Sequence, residues 1–505
     1  MQTSGSLTAV LPRAARSDLA LLWALAAALS ALATWIDFAA LPGVNWLIWT
    51  LAASLALLWC ARRELVPAAV RGALVLAVLL AGTAAVTAVP VIGGVSFIAL
   101  GALAIYAFLP AFKLPLAEAG VAALAQAPFV VAGRALLEAG ARTGETLRRA
   151  RAERSLPVVR GFTLALIVGA VLLLLLAQAD PTLTDWRDGA WMELKTLSFL
   201  PRLAFFLVLG TALLGALGTA LRTDSAPATP AGARSHAPGA PSLSGLERLL
   251  ILAAVVGVFA LFFCLQLSYL FGNPGGRSGS GITYAEATHR GFFEMTLAAG
   301  LSGLLILLLE HFARRDRHEL AGRVLGLTVV GGALALLASA YLRVAYYEAA
   351  YGFTVQRLLV QLWCAVLAVS AALLVWEVAS GVNVPRLLRR LAVTAVLTLA
   401  LLGYWNHTRW IVEQNLIRYE RTGRIDIAYL GRLGRYAPDA VPALIAALPH
   451  LRDADAEQLR DSLIQTVRTR RDYTRESAWY EWNWRREEAR SAVAHLGLTS
   501  SPASR

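Results

Sequence analysis

Three charged residues at four-residue spacing are where chemistry is most concentrated in this chain: Glu286, Arg290 and Glu294. Helical side chains at i, i+4 and i+8 share one face. The segment GNPGGRSGSGITYAEATHRGFFE, from Gly272 to Glu294, therefore presents two carboxylates and a guanidinium together. Thr283 and Glu286 have capping-box spacing, which satisfies the first free N–H groups of a helix. That structural role accounts for Glu286 without any ligand. Glu294 lies about one turn inside an apolar run, where an ionisable group is costly and turns toward a partner in the bundle interior. A second cluster, RVAYYEAAYG, brings Arg343 and Glu348 just beyond another apolar run. Pairing of these two with Glu294 and Arg290 would build a charge network near one membrane face. Such a network fixes helix register, or it forms a polar site for an ion, a proton or a lipid headgroup. Asp180, in another loop on the same side, completes the candidate binding set. No residue is assigned a catalytic role.

Other chemistry is poorly supported. No GxSxG, P-loop, HExxH or DxD pattern occurs. The cysteines Cys60, Cys264 and Cys364 lie at or within apolar runs and form no CxxC pair, which argues against a zinc site or a disulfide framework. His289 and His311 sit near opposite ends of one apolar stretch, too far apart to share a metal. No metal or cofactor is expected. Asp37 marks a loop of only about eight residues, too small to hold a large donor substrate.

The elements that must carry these residues are membrane spans. The 505 residues are 57% hydrophobic and only 16% charged, against roughly 25% charged in soluble domains. A hydrocarbon core about 30 Å thick takes roughly 20 apolar residues as helix. Spans are predicted near 19–36, 43–60, 68–89, 91–110, 161–178, 199–221, 247–271, 291–309, 322–342, 357–378 and 389–405. The expected fold is all-α: a polytopic helical membrane protein of about eleven spans with a small helical C-terminal domain.

Arginine sets the orientation. Arg62, Arg63, Arg314, Arg315, Arg317, Arg386, Arg389 and Arg390 all fall in loops on one side, which the positive-inside rule makes the cytoplasm. The net charge of +13 is thereby explained without nucleic acid. The localisation expected is a bacterial inner membrane, with the N-terminus cytoplasmic and the C-terminus extracytoplasmic. Residues 1–110 form a first bundle of about four spans. A cytoplasmic connector over 111–160 includes an amphipathic helix, either on the anionic inner leaflet or as an ordinary solvated connection. Two spans follow in 161–221, then a Pro/Ala/Gly/Ser-rich cytoplasmic linker over 222–246. A second bundle of about five spans occupies 247–405, and the tail occupies 406–505.

In the tail, helices are predicted over 437–448, starting at Pro438 or Asp439, over 456–470, and over about 479–496. Trp479, Tyr480, Trp482 and Trp484 crowd four aromatics into six positions. Core packing with membrane-surface contact explains them, and a sugar-stacking platform is the sharper alternative.

Several short runs carry a family resemblance. They are Tyr284-Ala-Glu286, Arg290-Gly-Phe-Phe-Glu294, Arg343, Tyr351-Gly-Phe-Thr354 and Ala179-Asp180-Pro181. Further along come Asn415, Arg424-Ile-Asp426, Tyr429-Leu430, Pro438-Asp-Ala-Val-Pro442 and Trp482-Asn483. From about residue 150 onward the chain resembles an uncharacterised bacterial multi-pass membrane family, a domain of unknown function of the 4173 type. Asn406-His407 departs from its pattern, where an Asn-Pro step is expected. The resemblance implies architecture and supplies no activity.

The function expected is non-enzymatic: transport or sensing of an envelope component through an outer-facing polar site. The partners expected are the lipid bilayer and an envelope lipid or small-molecule substrate. The alternatives are a membrane-embedded transferase acting on a lipid-linked substrate, and an envelope scaffold that recruits a partner through its tail.

Overall fold

The computed structural model describes residues 16–37, 40–60, 68–108, 135–136, 138–146, 199–220, 245–271, 292–312, 319–380, 383–470 and 477–495. Among these the chain is helical and has no strand. Lipid offers no partner to a backbone N–H or C=O, and a helix satisfies both within one segment. The apolar stretches accordingly form α1 (Arg16–Ile36), α2 (Val44–Cys60), α3 (Ala68–Val86), α4 (Pro90–Phe108), α5 (Phe199–Ala220), α6 (Gly245–Phe271), α7 (Phe292–Phe312), α8 (Glu319–Tyr351), α9 (Val355–Ser380) and α10 (Val384–Tyr404). Ten of the predicted spans fall on these helices. The one predicted at 161–178 lies outside the described residues. Among the described residues, six apolar helices are long enough to cross a membrane: Leu19–Ile36, Ala68–Val86, Pro201–Gly218, Glu319–Tyr351, Val355–Ser380 and Arg386–Tyr404. Shorter apolar helices cover Val44–Cys60, Pro90–Tyr106 and Ala298–Leu307.

Two apolar cores organise the spans. One gathers α1, α2, α3 and α5 around Leu22, Leu57, Cys60 and Leu217. The other gathers α6 to α10 around Leu252, Val329, Ala340, Leu374 and Leu387. Helix α10 packs on α3 and joins them. The seam is close: Tyr404 donates its hydroxyl to the Leu79 carbonyl at 2.8 Å.

Part of the connector is helical over 138–146. It is packed into the bundle. A Cβ on Gly215 would meet the Ala135 backbone, and one on Gly218 would touch Glu138. Glu138 and Arg142 are buried and pair at 2.7 Å. The expectation of a helix on the leaflet or in solvent did not anticipate this seat.

The tail forms a third core, with Ile411, Leu430, Leu444, Leu459 and Leu463 at its centre. Its helices are α11 (His407–Thr422), α12 (Ile427–Tyr436), α13 (Val441–Ala447), α14 (Asp453–Thr469) and α15 (Trp484–His495). Asn406 caps α11 by accepting from Arg409 N at 2.9 Å. His407 then takes the first helical position, where the amide has no intrahelical acceptor and proline would also fit. The departure from the Asn-Pro step leaves the helix start intact.

The helix predicted over 437–448 is a 3₁₀ turn, Pro438–Ala440, running into α13. The one predicted over 456–470 starts earlier, at Asp453. The third begins only at Trp484, because Asn483 caps it by accepting from Arg486 N at 2.9 Å.

Candidate functional site

The tail sits on one end of the span bundle, and polar side chains concentrate at that junction. Of the sequence-derived candidates, Glu348 is the one whose surroundings are described in full. Asp180, Glu286 and Arg290 lie outside the described residues. Glu294 lies on α7, with its side chain outside the description. Arg343 is half-buried on α8. Five residues separate it from Glu348, so at 3.6 residues per turn the two point to different faces.

Glu348 is 3% exposed, in the last turn of α8. One carboxylate oxygen accepts from Gln361 Nε2 of α9 at 2.6 Å. The other, Oε1, is buried without a hydrogen-bond partner. Arg357 lies close by, its guanidinium 4.3 Å above the Tyr347 ring. A carboxylate in low dielectric with an unfilled oxygen is a high-affinity seat for a proton or a cationic group. Gln361 was not identified from sequence, because an amide within an apolar run gives no charge signal.

Directly beyond Glu348 the chain turns from α8 into α9 through Gly352-Phe353-Thr354. Gly352 has φ 87°, a conformation that costs an L side chain about 1–2 kcal/mol. The tail grips this turn. Asn415 of α11 accepts from Phe353 N at 3.0 Å and donates to Phe353 O at 2.8 Å. Arg418 donates to the carbonyls of Ala349 and Ala350, at 3.2 and 2.5 Å. These are orphan acceptors at the end of α8. Tyr429 of α12 accepts from Val355 N at 2.8 Å, and burial pushes its phenol up from the ordinary range. Asp426 caps α12 by accepting from Tyr429 N. Tyr351-Gly-Phe-Thr354, Asn415, Asp426 and Tyr429 are scattered in sequence and assembled here.

A second grip holds the turn between α3 and α4. Asp439 is 2% exposed and accepts from Thr87 Oγ1 at 2.8 Å, from Ala88 N at 2.9 Å and from Arg485 Nη1 at 3.3 Å. Arg485 also reaches the Tyr404 carbonyl at 2.6 Å. Asn483 donates to Ala84 O and Thr87 O, at 2.7 and 2.8 Å. His407 is buried beside this group, and burial lowers its pKa. A third grip holds the loop between α1 and α2. Glu481 accepts from Leu41 N at 3.0 Å, Val44 N reaches the Trp482 carbonyl at 3.0 Å, and Arg486 donates to the Pro42 carbonyl at 3.1 Å. Asp37, in that loop, has a buried oxygen without a partner, and burial raises its pKa to about 6.

A different polar cluster lies at the opposite, arginine-rich end. Glu377 is fully buried at the end of α9. It accepts a two-pronged bond from Arg386, at 2.8 and 2.6 Å, and a third bond from Arg390 at 2.8 Å. Both arginines belong to α10. Among the described residues, no group of three or more His, Cys, Asp or Glu side chains forms a metal-binding set.

Glu348 and the grips by Asn415 and Asp439 fall within one family model, described as Domain of unknown function (DUF4153), which matches residues 74–447. The chain belongs to the DUF4153 family. The DUF4153 segment begins inside α3 and stops at the end of α13, so α1, α2 and the Glu481–Arg486 grip lie outside it. The match supports an uncharacterised membrane family and does not carry the narrower 4173-type assignment. Curated proteins and solved structures give no match.

Proposed function

We propose that this DUF4153 protein is a bacterial inner-membrane protein that transports or senses an envelope component, with its tail outside the cell membrane and Glu348 at the ligand site. Glu348 Oε1 carries the reading. It is an acceptor buried at the end of a span, left open by its own fold, beside the turn that the tail grips. A protein gains nothing in stability from an unfilled buried carboxylate oxygen, and a ligand donor would fill it. Arg357 and Gln361 supply further donors for a polar headgroup or a small solute. The orientation follows from the arginines at the opposite end, of which Arg386 and Arg390 are held on Glu377.

The test compares lipids, glycans and small-solute uptake in cells lacking the protein, complemented with the wild type or with Glu348→Gln at matched protein level. Loss of the protein should alter one envelope component or one uptake rate, and Glu348→Gln should fail to restore it. Full restoration by Glu348→Gln removes Glu348 from the site. A missing covalent product in the deleted cells would replace the transport or sensing reading with an enzymatic one. An alkaline phosphatase fused after Arg505 should be active, and an inactive fusion would reverse the orientation.

A further inference from the structure

The tail segment from Ser477 to Trp484 carries three exposed tryptophans. Trp479, Trp482 and Trp484 are 62%, 47% and 60% exposed. Their height is fixed by backbone contacts. Val44 N, the first amide of α2, bonds to the Trp482 carbonyl. A Cβ on Gly43 would lie 2.6 Å from the backbone of Glu481, so the two segments touch main chain to main chain. Trp35, in the last turn of the span α1, is itself 61% exposed. Its ring lies 6.2 Å from both Trp479 and Tyr480, and those two are 5.7 Å apart.

A tryptophan at the outward face of a span end belongs to the headgroup level, where one side of the ring meets acyl chain and the indole N–H meets water. Trp479 and Tyr480, which meet Trp35 edge-on and at a tilt, share that level. Beside them a shallow cleft of about 510 Å³ is lined by Ser477, Ala478, Trp479, Trp482, Glu487 and Arg490. Its mixture of indole and polar side chains suits the same boundary.

We propose that the Ser477–Trp484 segment is a membrane anchor, inserted at the boundary between headgroups and acyl chains of the leaflet on the tail side. The occupant of this face is lipid, and it continues the lipid-facing surface of α1. The anchor holds the tail flat against the bilayer, in addition to the polar grips that hold it to the spans. It does not depend on the reading of Glu348.

The experiment uses the full chain in lipid vesicles, with Cys60, Cys264 and Cys364 replaced by alanine. A single cysteine at Trp484→Cys or Trp479→Cys is labelled with an environment-sensitive fluorophore, and lipids carrying a nitroxide at the headgroup or at the acyl-chain middle are added. Gln458→Cys, on the exposed side of α14, serves as the control. Headgroup nitroxides should quench positions 479 and 484 several-fold more than position 458. Equal quenching at all three positions would overturn the proposal and leave the face to a glycan or a protein. Hydroxyl-radical labelling of the wild-type chain guards against a cysteine-free variant that fails to fold. Trp479, Trp482 and Trp484 should be protected in nanodiscs relative to the exposed His450, and full labelling of all three would overturn the proposal.

Discussion

Asp439 and Arg485 form an ion pair at 3.3 Å, their side chains 1% and 9% exposed, between the tail's Pro438–Ala440 turn and α15. Breaking a buried pair by removing one partner costs about 3–5 kcal/mol, because the survivor is left charged and unpaired. Asp439→Ala should therefore loosen the tail by about that amount, and Arg485→Gln by somewhat less. Tail melting in nanodiscs, with a double-mutant cycle across the pair, measures it. Strictly additive effects would show that the two groups do not interact.

Asn415 holds Phe353 through both its amide and its carbonyl. Asn415→Ala strands two partly buried backbone groups, at about 1 kcal/mol each. Gly352→Ala adds strain at a positive φ and brings a Cβ to 2.5 Å from Asn415 Oδ1. Both variants should speed amide exchange in the 352–358 segment by at least tenfold while leaving α14 unchanged. Exchange as slow as in the wild type would mean the turn is held by something else.

At the arginine-rich end, Arg386 meets Glu377 with two donors, a geometry lysine cannot reproduce. Arg386→Lys should lower resistance to detergent unfolding slightly. Glu377→Ala should cost more, about 3 kcal/mol, since it leaves Arg386 and Arg390 facing each other. Equal losses from the two substitutions would contradict the clamp.

Two titrating groups at the junction oppose each other. Asp37 holds its proton up to about pH 6 when folded, against 3.8 ordinarily. The folded state binds the extra proton between those values, so stability falls as pH rises through about 4 to 6 and the cost persists above. It is worth about 1–2 kcal/mol once solvent screening is allowed for. His407 is lowered below its ordinary 6.5. Its contribution is full above that value and declines as pH falls beneath it. Asp37→Asn should stabilise the chain at pH 7 and not at pH 3.5, whereas His407→Gln should flatten the loss below pH 6.5. Melting curves of each variant across pH 3.5–8 separate the two, and parallel wild-type and variant curves would refute both assignments.

The spans were legible because the cost of an unpaired backbone in lipid leaves a continuous apolar run as its trace. The grips were not. Asp439 reads locally as a helix start, and its partners Thr87 and Ala88 lie about 350 residues away. Neither hydropathy nor period encodes such a pairing. Asn483 and Tyr429 stood within recognised motifs, but only folding shows that they face Ala84 and Val355. Glu348 was found because a carboxylate next to a span is conspicuous. Gln361, its partner, is neutral and leaves no such trace. The buried seat of residues 138–146 escaped for a related reason. Glu138 and Arg142 neutralise each other four residues apart, so a stretch that reads as solvated is able to go inside.

Asn483 binds Ala84, 399 residues earlier in the chain. At about 5–20 residues per second of synthesis, the ribosome releases the second partner some 20–80 s after the first. Throughout that interval the end of α3 carries the Ala84 and Thr87 carbonyls without the donor that the late-arriving Asn483 supplies. This contact is thus among the last to form, and a chain halted before Asn483 leaves the Ala84 and Thr87 carbonyls to water.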